Sequence, residues 1–233
     1  MNTYKIIPYI LFLSVIVSSC AYVYFPNRVN APLLSQKKEF QGNLTVGTSG
    51  ADIQFAYSPV KHLGIIASVS YANDDTTKEN YDIHKYYDLG VGYYKKLGRK
   101  FIFETYAGFG GGNVISQGEF LNTTFYSNMN LTKFYLQPAI GYSTNYLNFG
   151  LVTRLSSVTF HPVYGNEDLT NKAYFFFEPA LFTSLGYKHI FFTLQLGLSL
   201  TNMPSKSYMP VIFNAGIGIK LGNIFLPPAR YSR

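Results

Sequence analysis

Apolar and polar positions alternate with a period of two from Glu39 to Leu221. The clearest stretches are 52–57, 190–200 and 211–221, in which every second residue is apolar. A period of two cannot form one apolar stripe on a helix, but it puts one row of side chains on each face of a strand. The alternation predicts ten strands, with eight as the alternative, near 39–48, 51–58, 64–73, 81–96, 101–114, 131–143, 147–160, 173–186, 189–201 and 209–221.

The links between these strands alternate in length after the first hairpin, which turns at Thr48–Gly50. Outer-membrane barrels have short periplasmic turns and long outward loops. The alternation therefore favours an all-β fold, an antiparallel up-and-down transmembrane β-barrel over residues 39–221, with both ends of the barrel in the periplasm. Short links fall at Ser58–Leu63, Leu97–Lys100, Ser143–Tyr146 and Tyr187–Lys188, and long polar links at Asn73–Asn80, Ile115–Asn130, His161–Lys172 and Asn202–Tyr208.

The first twenty residues have the layout of a bacterial lipoprotein signal. Lys5 precedes an apolar run, Ile6–Val17, and small residues lead to the single cysteine, Cys20. The run is too short to span a ~30 Å hydrocarbon core as a helix. We expect a signal peptide over 1–19, a lipid on Cys20, a lipidated periplasmic tether over 20–38 and a periplasmic tail over 222–233. The lipid would anchor the chain in the inner leaflet of the outer membrane; the alternative is an ordinary cysteine after a standard secretory signal.

Composition agrees with a barrel that is apolar outside and polar inside. Aromatic residues make up 18% of the chain and charged residues only 13%, whereas soluble domains carry about 25% charge. Four tyrosines recur just before short links and predict an aromatic girdle at the lipid–water interface; they are Tyr57, Tyr93, Tyr142 and Tyr187. Pro138 and Pro179 lie inside predicted strands, where each removes a ladder hydrogen bond.

Charged residues outside the strands differ in sign between the two ends of the predicted barrel. Basic residues concentrate on the tether, including Arg28, on the short turns and on the tail, whereas acidic residues fall mostly in the long loops. A basic rim predicts contact with anionic outer-membrane lipids, and no motif indicates a nucleic-acid partner. Turns that are merely solvated are the alternative interpretation.

A second set of charges lies within the strands, on the polar rows that would face the lumen. In a barrel this narrow, isolated charges are costly, so we expect these side chains to pair with one another. The result would be a polar plug in a closed barrel; a narrow selective pore is the alternative. The lumen-facing candidates are Asp52, Asp88, Glu104, Lys133, Arg154, Glu178 and Lys220, beside inward aromatics Tyr94, Tyr106, Tyr135, Phe176 and Phe182.

Catalytic chemistry has weak support. His84 and His161 fall near the outer rim, within possible reach of a serine or an acid, which would suit a lipid-modifying enzyme. No spacing is specific, so we expect no enzyme, no metal and no cofactor apart from the lipid on Cys20. The candidate partners of the two histidines are Ser156, Ser157, Asp82 and Asp168.

Several stretches together resemble a known class of protein. They are Cys20, Pro26, Val29–Leu34, Val46–Gly50, Ala56–Tyr57, Lys61–Gly64 and Ala215–Ile219. The chain resembles the small outer-membrane β-barrel proteins, some of them lipoproteins, of Bacteroidetes-type bacteria. The resemblance implies the barrel fold and provides no site residues.

The expected role is structural or one of surface interaction. The loop Gln117–Asn130, with Phe120, Phe125 and Tyr126, would contact an extracellular protein or glycan. A narrow pore for small polar solutes and an enzyme that modifies outer-membrane lipids are the alternatives.

Overall fold

The computed structural model describes residues 23–77, 80–120, 123–164, 172–203 and 208–222. Regular structure in these residues is entirely β, and no helix among them could cross a membrane. The strands are β1 (Phe40–Gly47), β2 (Gly50–Tyr57), β3 (Leu63–Thr77), β4 (Asn80–Leu97), β5 (Phe101–Phe120), β6 (Thr123–Ser143), β7 (Leu147–Tyr164), β8 (Ala173–Tyr187), β9 (Ile190–Leu198), β10 (Leu200–Thr201) and β11 (Val211–Leu221).

These strands form one closed antiparallel sheet. Each strand from β1 to β9 pairs with its neighbour in sequence, and β11 pairs with both β9 and β1. The short β10 continues β9 in the same register against β8 after a break at Ser199, so the two are one barrel strand. The predicted ten-stranded, up-and-down antiparallel barrel is confirmed, and the eight-stranded alternative is wrong.

The alternation seen in the sequence sets which face each residue takes. In β2, Asp52 and Gln54 are buried while Ile53 and Phe55 are exposed. In β9 the same holds, with Gln195 inside and Leu196 outside. Because successive side chains point to opposite faces, the polar rows line the lumen and the apolar rows cover the outer surface.

The two ends of the barrel differ. One end, here called the turn end, carries the four links at 58–62, 98–100, 144–146 and 188–189. The other, the hairpin end, carries the remaining links. The predicted loops Asn73–Asn80 and Ile115–Asn130 are largely strand instead, because β3–β4 and β5–β6 continue their pairing to Thr77–Asn80 and Phe120–Thr123. His161–Lys172 is strand up to Tyr164, and residues 165–171 lie outside the described part.

The strand prolines interrupt the ladder locally without shifting it. Beside Pro138 the β6–β7 pairing stops after Leu136 and resumes at Ala139 in the same register. Beside Pro179 the pairing of β8 is interrupted at Ser199, which separates β9 from β10. Proline has no N–H to donate, so each of these gaps lies on one side of a strand whose other side stays paired.

The residues before β1 run through the lumen. Residues 23–34, here called the inner segment, are buried apart from a half-buried Ala31. Tyr24 bridges Tyr208 at the hairpin end, whereas the Leu34 N–H donates to Glu104 near the turn end. The prediction of a tether outside the barrel over 20–38 is therefore wrong for these residues, and Arg28 lies in the lumen rather than at the rim.

A disulfide tests this path. With Cys20→Ser removing the native cysteine, Tyr24→Cys/Tyr208→Cys should cross-link on oxidation, because bridged strand residues lie within the Cα separation that a disulfide needs, about 4.4–6.8 Å. The measurement is non-reducing gel mobility of the folded protein. The matched pair Tyr24→Cys/Ser58→Cys, with Ser58 at the turn end, should stay reduced. Cross-linking of the second pair and not the first would contradict the path.

Candidate functional site: the filled lumen

The inner segment obtains its backbone hydrogen bonds mainly from side chains of the barrel wall. The Val29 N–H donates to Gln195 Oε1 at 2.9 Å, and Gln195 Nε2 donates back to the Val29 carbonyl at 2.9 Å. Gln54 Nε2 donates to the Arg28 carbonyl at 2.9 Å and Gln137 Nε2 to the Asn30 carbonyl at 2.7 Å. Buried backbone groups need such partners, and the wall's own backbone is already committed to strand pairing.

Four of the predicted lumen residues meet in one buried network. Lys133 Nζ lies 2.8 Å from Asp88 Oδ1, and Arg154 Nε lies 2.6 Å from Glu178 Oε2. Arg154 Nη1 also lies 3.6 Å from Asp88 Oδ2, which joins the two pairs. Two cations and two carboxylates balance, as buried charges require.

Asn27 connects this network to the inner segment. Its Nδ2 donates to Asp88 Oδ2 at 2.7 Å, and its Oδ1 accepts from Lys133 Nζ at 3.0 Å. Its carbonyl accepts from Arg154 Nη2 at 3.0 Å. The Tyr24 hydroxyl adds a donor to Glu178 Oε1 at 3.2 Å. The network therefore holds the segment as well as the wall.

Three predicted residues lie apart from this network. Asp52 Oδ2 accepts from Ser49 and Asn214, and Glu104 Oε2 accepts from the Leu34 N–H and the Tyr106 hydroxyl. No described cation lies within ion-pair distance of either carboxylate, so the expectation that every lumen charge pairs with another is wrong for them. Lys220 pairs with the buried Glu39 at 3.2 Å near the turn end and is partly exposed.

Arg28 is the one charge that the inner segment itself brings into the lumen. Its Nη2 donates to Thr193 Oγ1 at 2.7 Å. A small cavity of about 30 Å³ lies beside Arg28, with Gln41, Gln54 and Gln195 in its lining. A polar space of this size takes one or two water molecules.

Apolar and aromatic contacts fill the two ends of the lumen. The Tyr24 ring lies 4.4 Å from that of Phe176, and Phe25 stacks on His84 at 4.5 Å. Near the turn end, a Cβ on Gly141 would come within 2.6 Å of Leu33 Cδ1, so this glycine makes room for the segment. The inward aromatics expected from the sequence are all buried: Tyr94, Tyr106, Tyr135, Phe176 and Phe182.

Among the described residues, the two candidate catalytic histidines lie in different surroundings. His84 is buried rather than at an open rim, where its Nε2 lies 2.9 Å from the Ser49 carbonyl oxygen and its ring stacks on Phe25 and Tyr86. Ser156 is buried on β7, three strands away, and His161 is exposed. Asp168 lies outside the described residues. His84 thus packs the lumen end.

The remaining candidates lie at or beyond the margins of the described structure. Cys20 is outside the described residues. Phe120 ends β5 and Phe125 lies in β6, while Tyr126 exposes its ring 5.5 Å from that of Tyr164 on β7. The surface proposed from the sequence is therefore carried by paired strands rather than by a loop.

Sequence reasoning missed the amides that hold the inner segment. Gln54, Gln137, Gln195 and Asn27 are uncharged and stand out in no motif. One signal was present: residues 21–36 contain a single charged residue, Arg28. An exposed tether normally carries more charge than that, so this composition could have indicated burial.

No family model, no curated protein and no solved structure matches the chain. Across the described ranges, no group of three or more His, Cys, Asp or Glu side chains is placed to hold a metal ion. Any functional argument therefore depends on the barrel and its contents.

Replacing Arg154 tests the network. Arg154→Met leaves Glu178 without its cation and the Asn27 carbonyl without the Arg154 donor, and breaking a buried ion pair costs about 3–5 kcal/mol. We expect a loss of that size in the free energy of unfolding in urea, measured in detergent micelles. Arg154→Met/Glu178→Met should recover part of it, because no lone carboxylate remains. A loss no larger than that of the exposed control Lys95→Gln would contradict the assignment.

Proposed function

We propose that this chain is an outer-membrane β-barrel whose lumen is closed by its own inner segment and whose role is structural or one of surface interaction. The observation that carries the proposal is the inverted distribution of polarity. Large apolar or aromatic side chains are exposed on every strand, while charges and amides are buried inside. An apolar surface of this extent is a liability in water, and it suits a barrel surrounded by lipid.

The height of the apolar band supports a membrane location. On β4 the outward row reads Lys85, Tyr87, Leu89, Val91, Tyr93 and Lys95, all exposed. The two lysines that bound the apolar stretch are ten residues apart, which at ~3.3 Å each is ~33 Å along the strand, or ~25 Å along the axis at a tilt near 40°. That is the height of the apolar belt on outer-membrane barrels.

Exposed aromatic rings near the turn end support the same placement. Tyr57, Tyr93 and Tyr187 are exposed there, and Tyr142 is half-buried. Phe149 stacks on Tyr142 at 5.2 Å, and Tyr146 on Tyr187 at 6.0 Å. Amphipathic rings gather at lipid–water interfaces, so these residues fit the predicted girdle.

A closed lumen argues against transport. The inner segment passes from one end of the lumen to the other, and the Asp88–Arg154 network crosses its middle. A narrow pore would need the segment to leave, which would break those contacts. Of the two candidate bases of the lipid-modifying alternative, His84 packs inside the lumen, and His161 is exposed on β7. Surface contact with a protein or glycan would then fall to the paired strands of the hairpin end.

The path of the inner segment changes the membrane leaflet in which we expect a lipid on Cys20. Val23 lies at the hairpin end, and three residues span at most ~11 Å, so a lipid on Cys20 would attach at that end. If the short turns face the periplasm, the anchor belongs in the outer leaflet, not in the inner leaflet expected from the sequence. We therefore propose an outer-membrane barrel with its lipid on the cell-surface side.

Gel mobility and conductance test the closed barrel. We expect the outer-membrane fraction to give a faster band without boiling and a slower one after it. In planar bilayers the wild-type protein should show no steady conductance, whereas deletion of residues 23–34 should produce conductance steps, because the plug is removed. The heat shift of the deletion variant is the control for folding. A conducting wild type would contradict the closure.

Labelling of intact cells tests the orientation. In a Cys20→Ala background, Tyr164→Cys at the hairpin end should react with a membrane-impermeant maleimide, while Lys61→Cys at the turn end should react only after lysis. With Cys20 retained, an epitope inserted before Val23 should bind antibody on intact cells. Labelling of Lys61→Cys alone would reverse the barrel, and an epitope hidden until lysis would return the anchor to the inner leaflet.

A further inference from the structure

A cavity lies at the turn end of the barrel, and none of the four residues of the buried ion-pair network lines it. Its volume is about 530 Å³, within the range of small-molecule sites. Ser35 and Gln36, which directly follow the inner segment, line it together with three of the turns. The cavity is therefore closed on the inside by the segment and open on the outside.

Cations converge on this cavity from two opposed turns. Lys96 near the end of β4 and Arg99 and Lys100 in the β4–β5 link line it on one side, and Lys188 lines it from the β8–β9 link. No described carboxylate is among its lining residues. The nearby Glu39 is fully buried and already accepts from Ser35, Gln41 and Lys220. Lys220 also lines the cavity and is balanced by Glu39, whereas the four cations near the two turns have no counter-charge among the described lining residues.

Other features of the lining suit an oxyanion. Arg99 presents a guanidinium fork, and Asn145 from the β6–β7 link adds a neutral amide donor. Aromatic rings support two of the lysines: Lys100 Nζ lies 5.4 Å from the Tyr142 ring centroid and Lys188 Nζ 5.1 Å from that of Tyr187. The neighbouring Lys95 is exposed but does not line the cavity. The alternation along β4 therefore places Lys96 at the cavity and Lys95 on the outer surface.

From this arrangement we propose that the cavity binds a ligand carrying two or more phosphate groups. Four cations from two turns repel one another unless an anion lies between them, and a cavity of about 530 Å³ has room for linked phosphate groups that contact both turns. Two sources offer this chemistry, a soluble oligophosphate and a phosphorylated lipid headgroup. The proposal goes beyond the closed barrel and does not depend on the lipid at Cys20.

Titration with sodium tripolyphosphate tests the site. Full-length protein in maltoside micelles should bind it saturably, and the affinity should fall as salt rises from 50 to 200 mM. Lys96→Gln/Lys188→Asn should weaken binding at least tenfold; asparagine suits residue 188, whose φ is +57°. The matched pair Lys61→Gln/Lys95→Gln removes the same charge from outside the cavity and should change affinity less than threefold.

A second arm separates the two sources. The titration is repeated in nanodiscs of phosphatidylcholine with and without one-tenth cardiolipin, whose headgroup carries two phosphates. Loss of tripolyphosphate binding in the cardiolipin discs assigns the site to a lipid headgroup, and unchanged binding assigns it to a soluble ligand. Absence of saturable binding, or equal loss in both double variants, overturns the site. Because each sample is first checked for its heat shift, that result would leave the barrel proposal standing.

Discussion

A polypeptide inside a barrel lumen has no strand edge to pair with, and this constraint organises the rest of the molecule. The backbone N–H and C=O groups of the inner segment must be satisfied by side chains that point inward. Primary amides suit the task because each has a donor and an acceptor, and Gln195 uses both on Val29. The polar rows of the wall, in turn, need partners of their own. Wall and segment therefore satisfy each other's buried polar groups.

The same constraint explains how the lumen tolerates its charges. Asp88 and Glu178 would be costly to bury if they faced an apolar chain. Lys133 and Arg154 balance them, and Asn27 supplies both a donor and two acceptors where the four meet. An apolar side chain at position 27 would remove the acceptor of Lys133 and a donor to Asp88, while Arg154 would keep the backbone carbonyl. The low charge of the segment and its two asparagines, Asn27 and Asn30, suit the wall that surrounds it.

The barrel could be predicted because its signal is local. A period of two is visible within eight residues, so strands such as β2 and β11 were placed to within one or two residues. The inner segment could not be found that way, because its partners are remote in sequence: Asn27 contacts Lys133, and Val29 contacts Gln195. Strand ends toward the hairpin end were also missed, since in β5 and β6 polar residues such as Ser116 and Asn128 continue the pairing without an apolar row. The pattern also could not show that Glu104 accepts from the Leu34 N–H instead of pairing with a cation, because this partner too is remote in sequence.

Because the number of barrel strands is even, the sheet begins and ends at the same end of the barrel. This does not fix the path of the residues before β1. β1 starts at the turn end beside the end of β11, and these two strands form the seam that closes the sheet. The inner segment joins β1 through only a few residues, with the Lys38 N–H bound to the Ser58 carbonyl at 2.6 Å. A finished barrel would have to admit the segment through a lumen already crossed by side chains. Assembly of the wall around the segment avoids that step, because Gln54, Gln137 and Gln195 then find their partners as the strands pair. The inner segment is thus better regarded as the core of this fold than as a stopper added to it.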